Sequence, residues 1–418
     1  MSVQPGPDHR PKWRPQFTVL LLMWLVYGCF YLNKLNLAPV IPLIIADLGL
    51  SHAQVGLYSA AFFALYCVTQ IPWGYLSDRW GPRKVISLGG LISVGANVFF
   101  SLSPGPLYMT VAQGANGLGQ GSGWGPSVKL LNNWFAPAER ARALGAYTTC
   151  ISLFTILTYN LSGAVGGHFG WRVSFQLMPL ILLLALSLFR LTIRDHPPAP
   201  EMTPRPSPSD EPRRRLRDER KLRKVLTQSP VLLASMGFLC STYITYTNLI
   251  WLPTYYYEQF GFSVAQSGLL ASLYPALGLL ARPMGGYLSD VSLGGRRKPL
   301  LLISFLGICL GNLILSQTVH IEWAVGLLAW IGLCDQLMGA LFFVILLDSL
   351  PPDLAGTGAG LMNACGQLGS MASMFFSGLL MDVFHGYGPV FLSLSLVALI
   401  GLVMVGLVRE KGDRSIRT

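Results

Sequence analysis

Four ionisable residues stand inside long apolar runs, away from their ends: Lys34, Lys129, Arg282 and Asp335. A charge at that depth in a bilayer costs about 2.5–3.5 kcal/mol even on the most lenient scale, so each invites a functional reading. Lys34, in "YLNKLN", offers a mobile point charge suited to a carboxylate or a phosphate. Asp335, in "IGLCDQLMG", is the candidate for taking up and releasing a proton. The structural alternative is an ion pair between the two, worth roughly 4 kcal/mol of attraction at 4 Å and an effective dielectric of 20. An anionic substrate competing for Lys34 would then free Asp335 to be protonated. Arg282 reads as a gate, or as a partner for Asp348. No nucleophile–base set, metal cluster or phosphate loop accompanies them, which argues against an enzyme and against any cofactor or metal.

Polar residues at helical spacing surround these charges. Tyr31 and Asn36 flank Lys34, and "TYITYTNLIWLPTYY" supplies Tyr243, Tyr246 and Asn248. In "QGANGLGQGSGWGPSVKLLNNWF" the residues Asn116, Gln120 and Ser127 share one helical face. Lys129 falls roughly opposite Gln120, where it either meets substrate or snorkels to the membrane surface. The glycines of that stretch suit close helix packing. Asn363, Gln367 and Ser370 form a further polar stripe, and Tyr147 and Asn160 are possible additions.

The elements that must carry these residues are membrane helices. The chain has 418 residues, 52% hydrophobic and 12% charged, with a mean hydropathy of +0.50, beyond what a soluble domain tolerates. Twelve runs approach the roughly 20 residues a bilayer core requires: 17–44, 53–76, 85–103, 107–134, 141–167, 173–193, 231–257, 265–288, 299–318, 323–347, 356–381 and 388–408. None alternates as a barrel strand would. The seven cysteines all fall within these runs as small apolar residues, with no disulfide or metal spacing.

The net charge of +11 records topology rather than nucleic-acid binding. Placing the N-terminus inside assigns nearly every basic loop residue to the cytoplasm and leaves Arg172 outside, as the positive-inside rule demands. An inner (plasma) membrane protein with both termini cytoplasmic is expected. Its first span acts as an uncleaved anchor.

Residues 194–230, first rich in proline and serine and then strongly basic, break the apolar rhythm and read as a cytoplasmic linker. They separate 17–193 from 231–408, with a cytoplasmic segment 1–16 before and a tail 409–418 after. Residues 49–78 match 261–290 without a gap at an offset of 212, with thirteen of thirty positions identical. At the same offset Tyr31 falls on Tyr243, Asn36 on Asn248 and Lys34 on Tyr246. An offset of 215 sets Gly145 on Gly360, Ser162-Gly163 on Ser377-Gly378, and Gln120 on Asp335. The expected fold is therefore all-α, twelve transmembrane helices in two pseudo-symmetric six-helix lobes that rock about a central site.

Between the second and third spans stands "GYLSDRWGPRKV", echoed by "GGYLSDVSLGGRRKP". Its spacing, Gly74-x-x-x-Asp78-Arg79-x-Gly81-x-Arg83-Lys84, resembles the signature loop of the major facilitator superfamily. The resemblance covers essentially the whole chain and implies a conformational latch. Gly74 would permit close helix approach and Gly81 a tight turn. Asp78 would cap the helix beginning at 355–360, and Arg79 and Arg83 would grip Asp78 or Glu139, beside Arg140. Asp290 marks the second copy. The text from Tyr31 to Val85, with "NNWFAPAERARALG", is similar to the anion:cation symporter branch and, more distantly, to the organophosphate:phosphate antiporters. That implies a proton-coupled, monomeric carrier of a small organic anion, a carboxylate or sugar acid, moving between lobes by alternating access. Proton-driven efflux of amphipathic compounds and phosphate-linked exchange are the alternatives.

Overall fold

The computed structural model describes residues 15–197, 225, 228–317, 320–339, 341–351 and 354–408. Most of the expected N-terminal segment, most of the linker and the tail lie outside the described residues. Sixteen helices are described: α1 Pro15–Leu35, α2 Leu37–Leu48, α3 His52–Trp80, α4 Pro82–Ser101, α5 Pro106–Gln120, α6 Trp124–Trp134, α7 Pro137–Phe169, α8 Trp171–Thr192, α9 Ser229–Phe260, α10 Val264–Ala271, α11 Leu273–Tyr287, α12 Lys298–Leu315, α13 Ile321–Met338, α14 Leu341–Ser349, α15 Ala355–Phe384 and α16 Gly388–Leu407. A π-helical turn, Leu288–Ser292, follows α11.

Several predicted spans arrive as two helices for local chemical reasons. Pro39 has no N–H to donate to Leu35, so the first span breaks at Asn36, two residues after Lys34. Pro275 does the same to the eighth span at Ser272. The fourth span breaks at Gly121–Gly123. Among the described residues ten helical stretches are long and apolar enough to cross a membrane, against the twelve expected. The shortfall falls on the fourth span, whose glycine break leaves two short pieces, and on α9, whose hydroxyl, amide and tyrosine side chains dilute its hydropathy over 32 residues. The protein is an all-α, multi-pass membrane protein.

Chain connectivity defines two ends of the bundle. One, the termini end, bears the first and last described residues, Pro15 and Val408, with residues 194–197 and 228; the opposite, distal end bears the turns at 49–51, 261–263 and 385–387. In the first half α1 packs on α7 and α8, and α3 on α5. In the second half α9 packs on α15 and α16, and α12 on α13 and α16. The halves meet through α3 against α15 and through α7 against α10 and α11.

These two seams repeat each other in space as the sequences do. A side chain at Gly56 would strike the Met374 carbonyl, and one at Gly268 the Tyr159 carbonyl. Likewise Gly378 abuts the backbone of His52 and Ala53, while Gly163 abuts that of Val264 and Ala265. Both N-termini at the seams carry the same capping box, Ser51 with Gln54 and Ser263 with Gln266. Apolar packing is asymmetric along the bundle. One buried cluster runs through the second half and joins it to the distal residues of the first, Tyr58, Phe100 and Tyr159 among them. A separate cluster, including Met23, Leu130 and Phe189, fills the termini end of the first half alone.

Candidate functional site

Lys34 is buried, and its Nζ donates to the Tyr246 hydroxyl at 2.7 Å. Five aromatic rings surround the ammonium: Tyr246 at 4.7 Å from ring centroid to Nζ, Tyr66 at 4.9, Tyr31 at 5.4, Phe63 at 5.5 and Phe62 at 5.7 Å. Ring quadrupoles stabilise a desolvated cation by about 0.5–2 kcal/mol each, so the cage holds the charge without a counterion. No carboxylate lies within ion-pairing distance of Lys34 among the described residues. The rings come from α1, α3 and α9, and α3 is set by α5: Gly117 lets the Phe62 carbonyl approach so closely that no side chain fits there.

The alternative ion pair with Asp335 is not formed. Asp335 is buried and accepts from Thr245 Oγ1 at 2.8 and 3.0 Å, from the Tyr274 hydroxyl at 2.9 Å and from Gln336 Nε2 at 3.4 Å. The reason lies on α9. Successive residues of a helix point about 100° apart, so Tyr246 turns to Lys34 and Thr245 turns to Asp335.

Arg282 is drawn into the same region rather than to Asp348, which is exposed at the end of α14. Its Nε donates to Gln336 Oε1 at 2.9 Å, and its charge is within electrostatic reach of Tyr31, Tyr246 and Asp335. Among the described residues its terminal nitrogens have no hydrogen-bond partner. Lys34 from the first half and Arg282 from the second thus approach a shared tyrosine pair, Tyr31 and Tyr246, and both donate to neutral oxygens.

The remaining polar candidates divide. Asn116 donates to the Asn33 carbonyl at 2.9 Å and accepts from Ser93 at 2.6 Å; Gln120 donates to the Phe30 carbonyl at 2.8 Å. Both tie α5 to the backbone beneath Lys34. Asn36 donates to Asn97 at 3.0 Å, Asn248 to the Ile244 carbonyl at 3.0 Å, and Tyr243 is buried in the larger apolar cluster. Asn363 hydrogen-bonds Gln70 across the halves, leaving Gln70 Nε2 and, one turn along α15, Gln367 Oε1 without partners among the described residues.

Lys129 leaves the centre altogether. Its Nζ contacts Asp78 Oδ1 and the Ser77 carbonyl, both at 2.8 Å, at the termini end. Arg79 stacks on Tyr75 at 5.1 Å. Gly81 takes φ +85° with Asp195 crowding it, and the Asp195 carboxylate accepts from the Arg83 amide at 2.7 Å, capping α4. Arg140 binds the Phe135 and Asn132 carbonyls at the end of α6, and Glu139 lies in the first turn of α7. Among the described residues nothing lies within 4 Å of where a Gly74 side chain would begin. The side chains of Asp290, Ala355 and Gly356 lie outside those described, and with them the expected Asp78 cap and the second latch.

The aromatic cage of Phe62, Phe63 and Tyr66, the Thr245 and Tyr274 donors to Asp335, and the Gln336 bridge to Arg282 went unnoticed in the sequence. Aromatic residues at i, i+1 and i+4 of an apolar run look like core. The available signal was that Phe62 and Tyr274 are 212 residues apart, so one repeat aims an aromatic at a cation where the other aims a phenol at an acid.

Comparison with known proteins bears on this geometry. The Major Facilitator Superfamily description matches residues 23–374. The probable galactarate/D-glucarate transporter of Bacillus subtilis (strain 168) is 24% identical, over 92% of this chain and 91% of its own. The probable sulfoacetate transporter of Cupriavidus necator is 26% identical over 87% of each. The inward-facing crystal structure of a bacterial homologue of the human lysosomal transporter Spinster superposes with a TM-score of 0.77 at 17% identity, covering 96% of this chain and 95% of that one, which bears on fold alone.

Proposed function

The chain belongs to the major facilitator superfamily, and from that premise we propose that it carries a small organic anion, a carboxylate or sugar acid, across a plasma membrane by alternating access. Both termini are taken to be cytoplasmic. The observation that carries the substrate class is the pair of cations, Lys34 and Arg282, set on opposite halves about Tyr31 and Tyr246 with no carboxylate neutralising Lys34. An anion entering between them replaces a tyrosine and a glutamine oxygen with charged acceptors, whose hydrogen bonds are roughly twice as strong. Because the two cations belong to different halves, one bound anion draws the halves together. Relatives named for galactarate, glucarate and sulfoacetate agree with this charge.

Asp335 is the proposed proton carrier. It shares Gln336 with Arg282, so an anion drawing Arg282 away alters the acid's hydrogen-bond surroundings without touching it. The halves join their cores at the distal end and not around the first half's termini-end cluster, which fits a carrier whose halves part at the cytoplasmic face.

The test is a thermal-shift screen of purified protein with aldarates, uronates, sulfonates and sugar phosphates, repeated with Lys34→Met and Arg282→Gln. Stabilisation follows binding, with about 2.7 kcal/mol at a hundredfold excess over Kd. Anions should stabilise the wild type and neither variant. Stabilisation by amphipathic cations instead, surviving both substitutions, would overturn the reading in favour of efflux.

A further inference from the structure

We infer that His52 is a second proton-binding site, separate from the anion site, whose protonation clasps the two halves together at the distal end. His52 opens α3 in the first half. Its Nδ1 lies 3.1 Å from Asp382 Oδ1 on α15, and its Nε2 lies 3.1 Å from both carboxylate oxygens of Glu258 on α9. A carboxylate only accepts hydrogen bonds, whereas a neutral imidazole has one donor and one acceptor nitrogen. Both ring nitrogens therefore donate only in the imidazolium form. Losing the proton turns one nitrogen's lone pair toward a carboxylate and replaces attraction with repulsion.

The groups facing the ring are these. Glu258 comes from α9, along with the Trp251 ring at 5.9 Å between centroids; Asp382 comes from α15; and Tyr387, before α16, donates to Glu258 at 2.7 Å. The acid at the end of α2, Asp47, is held by Arg172 at 2.5 Å and Trp171 at 3.0 Å. Asp382 also accepts from the His52 amide at 3.0 Å and the Ala53 amide at 2.8 Å, a cap that does not depend on the imidazole's proton. The Glu258 contact is thus the one that depends wholly on the imidazolium.

The pseudo-symmetry sharpens the assignment. At the matching seam Val264 stands where His52 stands, packed on Gly163 and Gly167, and offers no titratable group there. One seam closes by packing alone and the other by packing plus a titratable bridge. Acid on the distal side holds the distal face shut, and alkali loosens it, whichever anion is carried.

Hydrogen exchange of the intact protein in lipid nanodiscs, without substrate, tests this at pH 5.5 and pH 8, with rates corrected for intrinsic exchange. Peptides containing 51–56 and 378–388 should open about tenfold more readily at the higher pH, the factor that one pKa unit of displacement produces. Termini-end peptides serve as the internal reference. His52→Gln should abolish the pH dependence and Glu258→Gln should reduce it, since the His52–Asp382 pair remains, with Glu258→Gln serving should His52→Gln fold poorly. A wild type with no such dependence, or a dependence undiminished in Glu258→Gln, would overturn the inference.

Discussion

Lys34 and Tyr246 are hydrogen-bonded at 2.7 Å and are separated by 212 residues, the repeat offset itself. The same position of the ancestral unit, carried on two halves, meets itself at the centre, as a cation on one side and a phenol on the other. A symmetric pair of lysines would repel there, and a symmetric pair of tyrosines would not attract an anion. The divergence of one residue creates the site.

Lys34→Met keeps the side chain's length and removes its charge. Anion binding, measured calorimetrically, should weaken by roughly a hundredfold, about 2.7 kcal/mol, within the roughly 1.5–3 kcal/mol of a hydrogen bond to a charged group. Because a buried ammonium without a counterion is costly to desolvate, the ligand-free variant should unfold at an equal or higher temperature than the wild type. A lower unfolding temperature would mark Lys34 as structural.

Asp335→Asn preserves shape and most acceptor capacity toward Thr245 and Tyr274. Reconstituted vesicles should lose uptake driven by a pH gradient while anion exchange and equilibrium binding persist. Undiminished gradient-driven accumulation would remove Asp335 from coupling.

Lys129→Gln separates the termini-end pair from the site. The Lys129–Asp78 pair is half-exposed, so unfolding should shift by no more than about 1 kcal/mol. Anion affinity should stay within twofold, a small change beside the hundredfold expected at Lys34. A large affinity loss, seen by calorimetry, would return Lys129 to the binding set.

Gly117→Ala places a methyl group against the Phe62 carbonyl, whereas Gly125→Ala meets nothing within 4 Å among the described residues. Overpacking should cost Gly117→Ala about 1–3 kcal/mol in unfolding experiments and displace the α3 rings from Lys34, weakening anion binding. Gly125→Ala should be neutral or slightly stabilising, since alanine favours helix. Equal behaviour of the two variants would remove α5 as the element that sets the cage.

The sequence alone carried the membrane class, the duplication and three of the deep charges, Lys34, Arg282 and Asp335. Hydropathy and repeat offsets are local properties of the chain. It did not reveal which charge meets which group, because helix faces half a bundle apart are brought together only by packing. Whether Thr245 or Tyr246 faces Lys34, whether Arg282 reaches Gln336 or Asp348, and whether Lys129 leaves the centre for Asp78 all turn on helix rotations of about 100° per residue. His52 was invisible for the same reason: its two carboxylates lie 206 and 330 residues away, on α9 and α15 of the second half, which only tertiary packing brings beside α3.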